Sequence, residues 1–251
     1  MLYVFGDSYS VDVKDLELSN ETRRKVGKYP DFLALEDNWV NIVSKKIIGS
    51  VDCVNEALSG TSNEHILHKV LQYSSNFVPG DHIIIQLTSQ QRRWLFKNKP
   101  ELSNWAQQDL LSDSSLSSAE KSALKSYGKH LNHDLSDNAI YMACLYATTY
   151  IGKMLGDNGG NEDEGIKVLI LPGFHNVAGV EGHLSNVCFG EFDNEDTCAE
   201  FYKKTSDNRW NHMSQVNHTI LADKVLDFFE DYTFIDLSTD FQKDIYTKDN
   251  I

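Results

Sequence analysis

Two short runs limit what this chain can become: HIIIQL at residues 82–87 and KVLIL at 167–171. Successive side chains of a strand point to opposite faces, so a strand with one wet face alternates apolar and polar residues. These runs barely alternate. They read as strands buried on both faces, the signature of a parallel sheet covered by helices on either side. Three further β-like runs accompany them: Leu2–Phe5, Val51–Val54 and Thr233–Leu237.

Helical patterns fill the intervals. Asn38–Ile48 places apolar residues at 39, 40, 42, 43, 47 and 48, and Glu64–Tyr73 and Asn138–Leu155 are the next candidates. Ser214–Phe229 carries Ile220, Leu221, Val225, Phe228 and Phe229 at helical spacing. Strands alternating with helices predict an α/β fold, a three-layer α/β/α domain with right-handed crossovers. The sheet is expected to be mostly five-stranded. With 251 residues and 41% hydrophobic content there is enough chain for a sizeable core. The whole chain, 1–251, reads as a single domain. A helical insertion is expected over 100–137, a glycine-rich acidic turn over 156–165, and an irregular pocket-forming segment over 174–206.

Charge and composition exclude several classes. A net charge of −14 would repel a phosphate backbone over most of the surface, so no nucleic-acid partner is expected. No stretch approaches 18 consecutive apolar residues, which argues against a membrane span. MLYVFGDSY lacks the basic region and long apolar core of a signal peptide, so a cytoplasmic location is expected. Cys53, Cys144, Cys188 and Cys198 form no CxxC pair and read as buried thiols, neither a disulfide framework nor a zinc site. His65 and His68 could share a metal on one helix face, but no third ligand is in register; a solvated face is the simpler reading.

In an open parallel sheet, ligands gather beyond the carboxyl ends of the strands. Ser8 follows the first strand, Ser59-Gly60-Thr61-Ser62-Asn63 the second, and Thr88-Ser89-Gln90-Gln91-Arg92-Arg93 the third. His212 follows the fourth and precedes the last helix. Taken singly each residue has an ordinary explanation: Ser8 a cap or turn residue, Gly60 a turn glycine, His212 a loop histidine, His218 a helix-surface residue. Together they could meet at one edge.

GDSYS at the start, SGTSN after the second strand and NHMSQVNH before the last helix resemble the SGNH (GDSL-type) hydrolases. The stretch DNRWNHMSQVNHTILA is similar in particular to variants common in tailed bacteriophages. The resemblance follows the motif order along nearly the whole chain but is close over only about ten residues at each end. It implies a flavodoxin-like α/β/α fold and hydrolysis of esters, often acetyl esters on carbohydrates, without metal or organic cofactor. Carried over by position, Ser8 would be the nucleophile and His212 the general base. The amides of Ser8 and Gly60 would hold the oxyanion. The chemistry agrees: a serine hydroxyl needs an imidazole to take its proton, and preorganised N–H donors stabilise the developing charge.

Two positions depart from the family pattern. Thr88 stands where the third block has glycine, and Gln90 stands where it has the asparagine that completes the oxyanion hole. Gln90, Ser89 or Arg92 could supply that donor. Arg209 occupies the usual aspartate position three before the histidine, so Asp207, five before, is the candidate third member; a turn role for Asp207, with a backbone carbonyl orienting His212, is the alternative. Asn63 either adds a side-chain amide to the substrate site or caps a helix. Arg92-Arg93-Trp94 either binds an anionic or sugar group or is a helix surface pinned to the acidic body. His218 matches a second family histidine of structural role.

The function expected is therefore a serine esterase removing an acyl group, most simply acetyl, from a carbohydrate or other polar substrate. The alternative is an SGNH-like binding or virion module that has lost its chemistry. A nucleotide-binding role is disfavoured because neither GxGxxG nor GxxxxGK[ST] occurs.

Overall fold

Leu2–Phe5 and His82–Leu87 form strands as their apolar runs require, β1 and β3. A computed structural model describes residues 1–7, 9–11, 38–50, 53–95, 111, 116–130, 133–156, 165–174, 180–184, 191–192, 213, 215–231, 234–242 and 245–246. Between and after these two strands run α1 (Trp39–Ile48), β2 (Val54–Asn55), α2 (Asn63–Tyr73), α3 (Ser118–His130), α4 (His133–Gly156) and β4 (Lys167–Pro172). The chain then adds β5 (Val180–Glu181), β6 (Glu191–Phe192), α5 (Gln215–Asp231), β7 (Ile235–Asp236) and β8 (Ile245–Tyr246).

The fold is α/β. Four parallel strands form one sheet in the order β2-β1-β3-β4. All four residues of β1 are buried, as are the five consecutive residues Ile83–Leu87 of β3. Because consecutive side chains face opposite ways, both faces of these inner strands are covered, as a three-layer arrangement requires. Each fully buried isoleucine of β3 contributes about 2 kcal/mol of hydrophobic stabilisation. β4, at the end of the order, alternates more and leaves Val168 and Ile170 half-buried.

Two expectations need correction. The run at 233–237 yields only Ile235–Asp236, which pairs in parallel with Val180–Glu181 in a separate two-stranded sheet. It is not a fifth member of the main sheet. The second strand lies at Val54–Asn55, later than the apolar run at 51–54 suggested. Its ladder with β1 continues beyond the strand, through Glu56 N–H to Val4 O at 2.8 Å and Leu58 N–H to Gly6 O at 3.0 Å. Pairing with β1 decides the position, and local hydrophobicity does not.

The chain divides into two compact units: Met1, Tyr3–Ser8 and Glu56–Ile170 in one, Leu2, Tyr9–Asn55 and Leu171–Ile251 in the other. In the first unit α2 packs on β3 and α4, burying Ile66 and Val70. Tyr3 meets Phe77 edge-on at 4.9 Å between ring centroids. Of the expected insertion, 118–130 is helix α3. It opens on a capping box: Ser117 Oγ and N–H both donate to Glu120 Oε2 at 2.7 Å. α4 buries Tyr141, Cys144 and Thr148 on one stripe. Burial pushes the Cys144 thiol up to about 11, so it is an inert core thiol. Among the described residues Cys53 is also unbridged; Cys188 and Cys198 lie outside them.

In the second unit α1 packs against α5. Asn38 caps α1, its Oδ1 accepting from Asn41 N–H at 2.8 Å. Three side chains then hold consecutive carbonyls of the segment 9–11. Trp39 Nε1 donates to Tyr9 O at 2.7 Å, Asn55 Nδ2 to Ser10 O at 2.9 Å, and Asn38 Nδ2 to Val11 O at 3.1 Å. His218 is fully buried on α5, and its Nδ1 accepts the Trp39 N–H at 3.2 Å. The surface reading of His218 is therefore replaced by a structural one, because the first turn of a helix leaves N–H groups that need acceptors. At Gly182, with φ +78°, a Cβ would lie 3.0 Å from the Leu237 and Ser238 backbone, so the position just after β5, where the chain passes close to the end of β7, favours glycine. No helix among the described residues is long and apolar enough to cross a membrane.

Candidate functional site

The strand order reverses direction between β1 and β3, and in α/β sheets such a switch point opens a crevice beyond the strand ends. Gly6 and Asp7 leave β1 there, and Thr88 leaves β3. Asp7 is fully buried. Its carboxylate Oδ2 accepts from Thr88 Oγ1 at 2.5 Å and from Arg92 Nη1 at 2.9 Å. Its backbone N–H donates to Gln86 Oε1 at 2.9 Å, and Gln86 Nε2 in turn donates to Leu87 O at 2.7 Å. A buried carboxylate is stable only when paired and hydrogen-bonded, and these contacts supply both. They also explain the polar residue that interrupts the apolar run 83–87: Gln86 serves the amide at the end of β1.

The second loop is tied to the same place. Leu58 N–H donates to Gly6 O, and Thr61 N–H returns to Leu58 O at 3.2 Å, closing a four-residue turn. Gly60 is its third residue, with φ +78°, the left-handed value that a type II turn demands there. Ser62 caps α2, its Oγ accepting from His65 N–H. The cap is thus one residue before Asn63. Asn63 does something else: its Nδ2 donates to Thr88 O at 3.1 Å and its Oδ1 accepts from Thr88 N–H at 2.8 Å. This side-chain amide pairs with the Thr88 backbone as a neighbouring strand would, joining the second loop to the third.

The third loop turns tightly. Arg92 N–H donates to Ser89 O at 3.1 Å and Gln91 N–H to Ser89 Oγ at 3.3 Å. Ser89 and Gln90 are half-buried in this turn. Arg92 keeps 18 % of its side chain exposed while paired to Asp7. Arg93 Nε pairs with Glu64 Oε1 at 2.8 Å, and its Nη1 donates to the Tyr127 hydroxyl at 3.0 Å. Trp94 donates its N–H to Glu64 Oε2 at 3.3 Å and sets its ring edge-on to His65, centroids 5.0 Å apart. The Arg92–Trp94 stretch is not helical, so it is not a helix surface, and both guanidinium groups are matched to acids.

His65 is buried on α2, its Nδ1 2.9 Å from Thr61 Oγ1. Burial, with the Lys69 and His68 charges, lowers its pKa to about 4, so the ring is neutral near neutral pH. Its ring centroid lies 6.5 Å from that of His68. Among the described residues, no three His, Cys, Asp or Glu side chains are grouped to hold a metal ion.

Gly60 and Asn63, of the second loop and the start of α2, and Ser89, Gln90 and Arg92, of the third loop, are thus described residues of two adjoining segments. Ser8, Asp207 and His212 lie outside the described residues. Sequence reasoning missed Asp7, Gln86 and the Thr61–His65 pair. The signals present were a polar residue inside an apolar run and an i, i+4 spacing at a helix start. Comparison of the chain with models of known protein families, with curated proteins and with solved structures found no match.

Proposed function

We propose that the chain is a serine ester hydrolase of the SGNH type, built on a flavodoxin-like three-layer sheet and acting on an acyl ester, most simply acetyl, of a carbohydrate or similar polar molecule. One observation carries the reading. Asp7, the residue before Ser8, is hydrogen-bonded to Thr88 and Arg92 of the third loop, while Gly6 binds the loop that carries Gly60. Three of the four blocks named by the resemblance therefore adjoin at the strand ends where α/β sheets hold ligands.

In this reading Ser8 Oγ attacks the ester carbonyl carbon as His212 takes its proton. The carbonyl oxygen becomes an oxyanion held by the amides of Ser8 and Gly60, with Gln90 as the third donor. Collapse of the tetrahedral intermediate expels the alcohol, which receives the proton from His212. Water, deprotonated by His212, then attacks the acyl-serine, releases the acid and restores Ser8. Asp207 orients the imidazole. Arg92 and Ser89 face the substrate from the third loop.

The engagement of the Asn63 amide by the Thr88 backbone favours a second reading, a binding module of the same architecture that has lost its hydrolytic activity. Turnover of p-nitrophenyl acetate separates the two. The esterase reading expects Ser8→Ala to lower kcat by about 1,000-fold or more. Equal rates for the two proteins at equal folded concentration would leave only the binding module.

A further inference from the structure

The turn that presents Gly60 is held from behind. Thr61 is fully buried, and a buried hydroxyl requires a partner. Its partner is His65 Nδ1, at 2.9 Å. The Thr61 N–H meanwhile closes the turn onto Leu58 O. These two contacts pin Thr61, the last residue of the turn, and so hold the turn that carries Gly60 closed on Leu58. His65 is itself held by the Trp94 ring, and Trp94 by Glu64. The chain of contacts runs from the third loop through Trp94, His65 and Thr61 to Gly60.

We infer that Thr61 and His65 are positioning residues that hold the turn carrying Gly60 in place beside the reacting carbonyl oxygen, an inference that rests on the ester-hydrolase reading. Neither residue touches substrate. Donors to an oxyanion act through preorganisation, and small misplacements are costly because the charge exists only in the transition state. A loosened Gly60 turn therefore lowers kcat and leaves KM alone.

The experiment compares Thr61→Val, Thr61→Ser, His65→Asn and His65→Gln with wild type in kcat and KM for p-nitrophenyl acetate, with Ser8→Ala alongside. Thr61→Ser keeps the hydroxyl, and His65→Asn places an amide, which can donate or accept, near the Nδ1 position; both retain kcat. Thr61→Val and His65→Gln lose kcat by about tenfold at unchanged KM. Unchanged kcat in Thr61→Val, or an equal loss in Thr61→Ser, overturns the inference. If Ser8→Ala leaves turnover unaltered, the ester-hydrolase reading has failed, and amide hydrogen exchange over 58–63 decides the pair instead. Faster exchange in Thr61→Val than in Thr61→Ser supports the positioning role, and equal exchange overturns it.

Discussion

The carboxylate of Asp7 and the hydroxyl of Thr88 meet at 2.5 Å although 81 positions separate them in the chain. This contact joins the ends of two adjacent parallel strands, one of which leads directly into Ser8. The same carboxylate pairs with Arg92, so the ends of β1 and β3 are locked by charge as well as by shape. The lock stands independently of any catalytic role for the serine beside it.

Removing the acid should therefore be costly. Asp7→Ala leaves Arg92 without its counter-charge and Thr88 Oγ1 without its acceptor, for a loss of about 3 kcal/mol. Thr88→Val removes one hydrogen bond to a charged group and costs about 2 kcal/mol. Urea unfolding measures both. A midpoint for Asp7→Ala equal to wild type would show that the pair does not hold these loops.

Asn63 gives a sharper test, because its two atoms have opposite jobs. Asn63→Ala leaves a buried N–H and C=O of Thr88 unpaired and costs about 2–3 kcal/mol. Asn63→Asp keeps the acceptor for Thr88 N–H but turns a carboxylate oxygen toward Thr88 O. Its stability deficit should exceed that of the alanine variant at neutral pH and shrink in acid, where the protonated carboxyl donates again. A pH-independent deficit would contradict the bonding assigned here.

His65 makes stability itself pH-dependent. Its pKa is lowered from 6.5 to about 4 in the folded protein, by burial first and then by Lys69 and His68, with Glu56 opposing. Between those values the unfolded chain binds a proton that the folded one refuses, so stability falls as pH drops through the window. The full effect is about 3 kcal/mol. Unfolding free energies measured from pH 7 to pH 4 should fall more steeply for wild type than for His65→Asn. Parallel curves would contradict a neutral buried ring.

Elements that are buried on both faces were legible in the sequence, because β1 and β3 carry continuous apolar runs. The ends of α1 and α5 were legible to within a few residues for a similar reason, a long helical period. The β5–β7 pair was not: strands of two residues have no period to detect, and the apolar run at 233–237 looked like any other strand. Ser62 and Asn63 are both good caps and adjacent, so only the fold decides which one caps α2 and which reaches Thr88. Side chains that serve backbone groups in another loop, as Gln86 serves Asp7, leave no local trace beyond a polar residue among apolar ones. At the candidate site, the positions of Gly60, Asn63 and Arg92 beyond their strand ends followed from topology. Their partners did not, because pairing across loops depends on register that a single sequence does not encode locally.

The most direct measurement of the central claim is covalent labelling of the folded protein with a fluorophosphonate, followed by mass spectrometry of the peptide containing Ser8. An activated hydroxyl attacks the phosphorus and displaces fluoride, so the account predicts an adduct on Ser8 that is lost in Ser8→Ala and strongly slowed in His212→Ala. A folded protein that carries no adduct on Ser8, or one labelled as quickly without His212, would contradict it.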